Sequence, residues 1–192
     1  MQDISLIPLE DVPFLIFDLE TTGFSPRRGD RICEIALIKT RGGREEASFQ
    51  TLIDPVRELS PGAYEVNGIT PDMLKGKPKF SDIVSRIAPF FHGSCIVGHN
   101  VSFDLSFLMA ELGDEFSWIV ENPILDTLTL SRLYLEEPSN KLENLVRSLN
   151  LPVSGHHRAM ADVQSTRALL DYIVGAIREK RPVETLQDLL SL

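Results

Sequence analysis

Two carboxylates separated by one apolar residue close a hydrophobic run, Phe14-Leu15-Ile16-Phe17-Asp18-Leu19-Glu20-Thr21-Thr22-Gly23. A run of this length, rich in aromatic and branched residues and ended by glycine, reads as a buried strand. Residues two apart on a strand share a face, so Asp18 and Glu20 point the same way at the end of a core strand. Like charges held side by side repel, and removing them from water raises the pKa of each. A divalent cation relieves that repulsion, because hard cations such as Mg²⁺ take oxygen ligands and are held by one or two carboxylates together with substrate phosphates. The plain alternative is a strand fraying into an acidic turn, and D-x-E alone does not choose between the two.

Two later segments carry related chemistry. Gly98-His99-Asn100-Val101-Ser102-Phe103-Asp104 sets a carboxylate just past a short apolar strand and within the first turns of a helix. Strand ends in open α/β sheets present ligand-binding groups at that place, although an acidic residue there also suits the helix dipole. In His156-His157-Arg158-Ala159-Met160-Ala161-Asp162, His157 and Asp162 would sit on different faces of one regular helix. They can act together if His157 lies on the loop before the helix and Asp162 on its first turns. A loop histidine with a near-neutral pKa can take a proton from water; a solvated surface histidine is the alternative, and His156 and His92 read that way. Asp126 reads as the cap of a following helix. Four carboxylates at strand ends and helix starts, with one histidine, fit metal-assisted hydrolysis. In that chemistry two ions about 3.5–4 Å apart activate water and stabilise the leaving oxygen of an in-line displacement.

These groups need a domain to position them. A chain of 192 residues is long enough for one with a sizeable core, and 43% hydrophobic with 24% charged residues is ordinary for a globular protein. The net charge of −9 argues against a broad basic nucleic-acid footprint. It leaves open a site whose positive charge comes from metal ions. There is no leader-like start and no apolar span of membrane length, so a cytoplasmic location with no membrane partner is expected. Cys33 and Cys95 lie in apolar runs without CxxC spacing and read as buried small hydrophobes. After the first strand and a loop over residues 23–30, Arg31 to Lys39 alternates as a second strand. Its expected faces are Ile32, Glu34 and Ala36 against Cys33, Ile35 and Leu37. Gly42-Gly43 turns the chain into a third strand from Glu46 to Ile53. Short helices and turns fill residues 60–80, and a helix capped by Ser81 runs through Ile83, Ile87, Phe90 and Phe91. A strand at Cys95–Gly98, a helix through Phe103 and Phe107, and a brief strand at Ile124-Leu125 follow. Helices are expected over Thr127–Tyr134, Lys141–Leu149 and Ala159–Ile177. A meander followed by alternating strands and helices predicts an α/β fold, a mixed sheet with helices on its faces. Residues 1–178 form the expected domain, with 179–192 as an appended helix or the start of a linker.

The order D-x-E, then H-N-x-x-F-D, then H-x-x-x-x-D resembles the DEDD superfamily of 3′→5′ exonucleases, in its histidine-bearing (DEDDh) branch. Within that branch the likeness is to the proofreading epsilon subunits of bacterial DNA polymerase III. It is carried by F-D-L-E-T-T-G at Phe17–Gly23, N-G-I-T-P at Asn67–Pro71 and G-H-N-V-S-F-D at Gly98–Asp104. It continues through L-D-T-L at Leu125–Leu128, K-L-E-N-L at Lys141–Leu145 and the His157–Asp162 pair, and so spans about residues 13–175. The resemblance implies an RNase H-like fold, a mixed five-stranded sheet with an antiparallel meander flanked by helices. It implies two Mg²⁺ or Mn²⁺ ions: one on Asp18, Glu20 and Asp162, the second reached by Asp18 with Asp104 in support, directly or through water. It makes His157 the general base. Contacts to the terminal nucleotide are implied for Leu19, Thr21, Thr22, Asn100, Phe103 and His157. The sister branch has tyrosine where this chain has Arg158, and Asn67 stands where the epsilon subunits usually have histidine. The implied substrate is a single-stranded or frayed 3′ end of DNA, cut to nucleoside 5′-monophosphates. An RNA-trimming enzyme is the alternative, because the 2′-OH is read by local pocket shape. A non-catalytic adaptor fits poorly with a complete set of four carboxylates and a histidine. A stand-alone enzyme, a polymerase subunit and a domain fused within a larger protein are all compatible with the likeness.

Overall fold

Phe14–Thr21 forms β1, the central strand of a five-stranded sheet, and its apolar residues Leu15, Ile16 and Phe17 are fully buried. The structure, a computed structural model, describes residues 4–113, 119, 121–152 and 158–192. Strands β2 (Ile32–Arg41) and β3 (Arg44–Leu52) complete the antiparallel meander. Then come α1 (Pro61–Asn67), α2 (Pro71–Leu74), α3 (Phe80–Phe91), β4 (Cys95–Gly98) and α4 (Val101–Leu112). They are followed by β5 (Ile124–Asp126), α5 (Thr127–Tyr134), α6 (Leu142–Ser148), α7 (Ala159–Lys180) and α8 (Leu186–Leu190). The strand order is β3-β2-β1-β4-β5, with β4 and β5 parallel to β1. Parallel neighbours need a crossover, and α3 supplies the one between the meander and β4. This is the mixed α/β sheet expected from the sequence.

Alternation along the strands gives the sheet two apolar faces. Ile16, Ala36, Ile38, Cys95 and Val97 pack with Val163, Leu169, Leu170, Ile173 and Ile177 of α7. Leu15, Phe17, Ile35, Leu37 and Ile96 pack on the other side with Ile83, Ile87 and Phe91 of α3 and Phe107 and Leu108 of α4. Asp18 and Glu20 continue the Ile16 side of β1, and Glu34 continues the Ala36 side of β2. Strand period therefore brings all three carboxylates to the face on which α7 lies.

Several local expectations change. Ile32 joins the cluster of Ile35 and Leu37, not the Glu34 side. The cause is a register shift between Glu20 and Thr21, where Glu20 faces Glu34 but Thr21 faces Ile32. A bulge of this kind flips the side-chain alternation beyond it. The third strand begins at Arg44, earlier than Glu46, because Gly42 and Gly43 both adopt positive φ and form a two-residue turn that pairs Arg41 with Arg44. Ser81 is not the cap of α3. The cap position is Lys79, two residues earlier, and Asp82 reaches back to accept the Lys79 N–H at 2.9 Å. The segment after residue 178 continues α7 to Lys180 and then folds back. Val183, Leu186 and Leu189 are buried in the same cluster as α7, and the Leu9 N–H donates to the Glu184 carbonyl at 2.8 Å. Cys33 and Cys95 are fully buried, and burial raises both thiol pKa values. Among the described residues no helix is long and apolar enough to cross a membrane.

Candidate metal centre and nucleotide cleft

The bulge at Glu20 leaves Asp18 and Glu20 at the C-terminal end of β1, and the chain beyond is stapled to the start of β2. The Thr22 N–H donates to the Arg31 carbonyl at 2.9 Å, and the Arg31 N–H donates to Thr22 Oγ1 at 3.0 Å. Thr22 is fully buried, and its hydroxyl closes this turn. The Thr21 hydroxyl donates to the Gly23 carbonyl at 2.6 Å. A Cβ at Gly23 would stand 2.5 Å from the Asp30 carboxylate, so any larger residue there would displace that side chain.

Helix α7 brings the third carboxylate. Ala159 and Val163 are fully buried against the sheet, which presses the first turn of α7, and Asp162 with it, onto the end of β1. Asp18, Glu20 and Asp162 each offer one oxygen, and the three oxygens lie within 4.8 Å of one another. Asp104 approaches from the other side of the strand. It sits in the first turn of α4, buried, with Oδ1 accepting the Leu19 N–H at 3.1 Å. It stands outside the three-oxygen group but is the largest charge acting on Asp18.

The electrostatics follow from burying so many like charges. Burial, then Asp104, Asp162, Glu20 and Glu34, hold the Asp18 carboxyl well above the usual carboxylate range. Burial, Asp162 and Glu34 push Glu20 up to about 7, against opposing pulls from the Asn67 amide and the Arg158 guanidinium. Burial raises Asp104 to about 8 although two backbone N–H groups favour its charged form. Hard oxygen donors that hold their protons when left alone, converging on one point, fit a divalent cation: it would supply the missing positive charge.

Beside the carboxylates lies a cleft of about 140 Å³ lined by Leu19, Glu20, Thr21, Gly23, Phe24, Ala63, Val66, Asn67 and Phe103. Phe24 is 76% exposed and Val66 51% exposed, so this wall presents apolar surface to solvent. Asn67 is buried at its floor, its Nδ2 donating to the Thr21 carbonyl at 3.4 Å and its Oδ1 accepting the Ile69 N–H at 3.0 Å. Asn100 adopts the left-handed conformation (φ 68°) at the start of α4, where asparagine is better tolerated than most residues. Its N–H donates to Asp126 Oδ1 at 2.9 Å, and the same oxygen caps α5 through the Leu128 N–H, as expected for Asp126. His99, given no role from sequence, bridges Thr127 Oγ1 at 3.0 Å and the Asn140 carbonyl at 2.9 Å, and burial lowers its pKa. His156 and His157 lie outside the described residues.

Sequence reasoning missed one ion pair. Glu34 is fully buried on β2, and Arg158 grips it with two hydrogen bonds, Nε to Oε2 at 3.0 Å and Nη2 to Oε1 at 2.7 Å. A carboxylate inside the otherwise apolar run Ile32–Ile38 was the available signal, since a buried charge calls for a partner.

Fold and site together define a class: a mixed α/β domain with a carboxylate cluster, able to hold a divalent ion, at the end of its central strand. A family model described as Exonuclease matches residues 15–170. The PolC-type DNA polymerase III of Latilactobacillus sakei is 40% identical over 163 residues, covering 84% of this chain and 11% of the relative. Exonuclease X, solved in complex with 5′-overhanging duplex DNA, superposes with a TM-score of 0.71 at 26% identity, covering 92% of this chain and 99% of the other. The zinc-bound E. coli exonuclease I–single-stranded DNA complex gives a TM-score of 0.75 at 26% identity, covering 90% of this chain and 41% of the other. The chain belongs to the exonuclease family, as a DEDD 3′→5′ exonuclease domain. It spans about a tenth of the length of the polymerase relatives it matches.

Proposed function

We propose that the domain hydrolyses the 3′-terminal phosphodiester of DNA, releases nucleoside 5′-monophosphates with the help of two Mg²⁺ or Mn²⁺ ions, and proofreads as part of a DNA polymerase in the cytoplasm. The observation that carries this reading is the meeting of Asp18, Glu20 and Asp162 oxygens within 4.8 Å at the end of β1. Asp18, Glu20 and Asp162 would hold one ion, and Asp18 with Asp104 the second. When bound, the ions stabilise the attacking and leaving oxygens and orient the scissile phosphate. The carboxylates themselves repel a bare phosphodiester, so substrate docking at this end of β1 is coupled to cation binding. His157 takes the proton of the attacking water. The apolar wall of Leu19, Phe24, Val66 and Phe103 receives the terminal base and sugar, with the aromatic rings as stacking surfaces. A few terminal nucleotides then suffice for binding, which agrees with a net charge of −9. The names of the relatives support the DNA and polymerase parts of the reading, being a DNA polymerase III and exonucleases solved on DNA.

The test is degradation of end-labelled single-stranded DNA, mismatched duplex and RNA side by side, with Mn²⁺ or Mg²⁺ and with EDTA. The expected result is metal-dependent shortening from the 3′ end, fastest on single-stranded and mismatched DNA. Faster loss of RNA would move the substrate to RNA, and undiminished activity in EDTA would overturn the metal role. His157→Ala is expected to slow hydrolysis about 10²–10⁴-fold, the range for losing a general base. An unchanged single-turnover rate would assign that proton to another group.

A further inference from the structure

We infer that Glu34 and Arg158 are positioning residues: their ion pair sets where the first turn of α7 begins, and thereby where Asp162 stands relative to Asp18 and Glu20. Glu34 lies opposite Glu20 in the β1–β2 register, one strand away from the carboxylate cluster. Its two oxygens collect donors from three places. Oε1 accepts Gln50 Nε2 of β3 at 2.9 Å and Arg158 Nη2 at 2.7 Å, while Oε2 accepts Arg158 Nε at 3.0 Å and the Ala159 N–H at 3.4 Å.

Helix α7 has 22 residues, yet its cap position is Arg158, whose side chain makes no capping hydrogen bond. The first N–H groups of a helix need outside acceptors, and a negative charge there is favourable. Glu34 supplies both from the neighbouring strand, by receiving the Ala159 N–H. The Ala161 and Asp162 N–H groups in turn donate to the Arg158 carbonyl at 2.8 and 3.2 Å. Arg158 therefore holds the turn that carries Asp162 on its carbonyl side and grips Glu34 with its guanidinium. A two-pronged guanidinium–carboxylate contact fixes orientation as well as distance, which a lysine cannot do. Arg158 is also the residue that follows His157 in the chain. Glu34 is buried while the Arg158 side chain is 43% exposed, and a half-exposed pair of this kind contributes little net stability, so geometry is the better reason for it.

The inference rests on the metal-dependent reading above, and the test separates the two. Arg158→Lys and Glu34→Gln are compared with wild type and with Arg41→Lys, at the other end of β2, which alters the exposed Arg41–Glu46 pair and the hydrogen bond from Arg41 to the Asp11 carbonyl. Melting temperature, Mn²⁺ affinity by calorimetry without substrate, and kcat and KM on a single-stranded oligonucleotide are measured for each. Arg158→Lys is expected to weaken Mn²⁺ binding and lower kcat, each about tenfold, the lower end for losing a residue that orients ligands. KM is expected to stay within about twofold, because the nucleotide cleft is untouched, and Arg41→Lys to match wild type. Wild-type Mn²⁺ affinity and kcat in folded Arg158→Lys, even with a lower melting temperature, overturn the positioning role and leave the proposed function standing. A wild-type protein that neither binds Mn²⁺ nor cuts DNA overturns both. If Glu34→Gln does not fold, Arg158→Lys decides alone.

Discussion

Asp18→Asn is expected to reduce hydrolysis of a single-stranded oligonucleotide by roughly a thousand-fold or more, about 4 kcal/mol at ~1.36 kcal/mol per decade. Asp18 belongs to the three-oxygen group with Glu20 and Asp162 and is also acted on by the Asp104 charge, so it is the carboxylate that both proposed ions would share. Asparagine has nearly the same shape and removes the charge alone. The same change is expected to stabilise the metal-free protein at pH 8, because desolvation and the surrounding carboxylates disfavour a charge at Asp18. Activity and stability moving in opposite directions separates a catalytic loss from misfolding. The checks are single-turnover rates and thermal melts on the same preparations. A variant that keeps a tenth of the wild-type rate would remove Asp18 from the shared position.

Metal-free protein is expected to lose stability steadily as pH rises from about 5 to 8, and saturating Mn²⁺ or Mg²⁺ to abolish that slope. Folding raises Glu20 from 4.5 to about 7 and Asp104 from 3.8 to about 8, with Asp18 raised as well. Between the unfolded and folded pKa values the folded protein binds more protons than the unfolded chain. Stability then falls with pH, because its slope follows protons bound unfolded minus protons bound folded. The contribution of these groups is fully present below about pH 4 and is lost as pH passes 7 to 8. At about 1.4 kcal/mol per decade the change amounts to several kcal/mol, comparable with a typical domain's whole stability. A cation takes the place of the protons, so it binds more tightly at pH 8 than at pH 6. At a hundred times its dissociation constant it adds about 2.7 kcal/mol. Melts across pH with and without metal check this, and a flat metal-free profile contradicts it.

The parts of the site legible in the sequence were those encoded by local period. D-x-E at the end of an apolar run places two carboxylates on one strand face whatever the rest of the chain does, and Asp126 caps the helix that follows it. The meander and the mixed sheet could be read because a glycine turn forces the first and the later strands are separated by helices. What escaped was set by pairing between distant segments. Glu34 meets Arg158 across 124 residues of chain, and only the packing of α7 on β2 brings them together. The register shift beside Glu20 moves Ile32 to the other core and is decided by strand pairing, not by composition. Ser81 lost the cap of α3 to Asp82, which reaches back from the third helical position. The Thr22 staple was not legible because nothing local shows that its hydroxyl receives the Arg31 N–H.

Asp18, Glu20 and Asp162 are expected to hold one divalent ion between them, and anomalous diffraction from a crystal grown with Mn²⁺ would locate it. A manganese peak in coordination contact with an oxygen of each of the three carboxylates is the predicted result. Full occupancy elsewhere on the molecule, with these three carboxylates free of metal, would contradict the account.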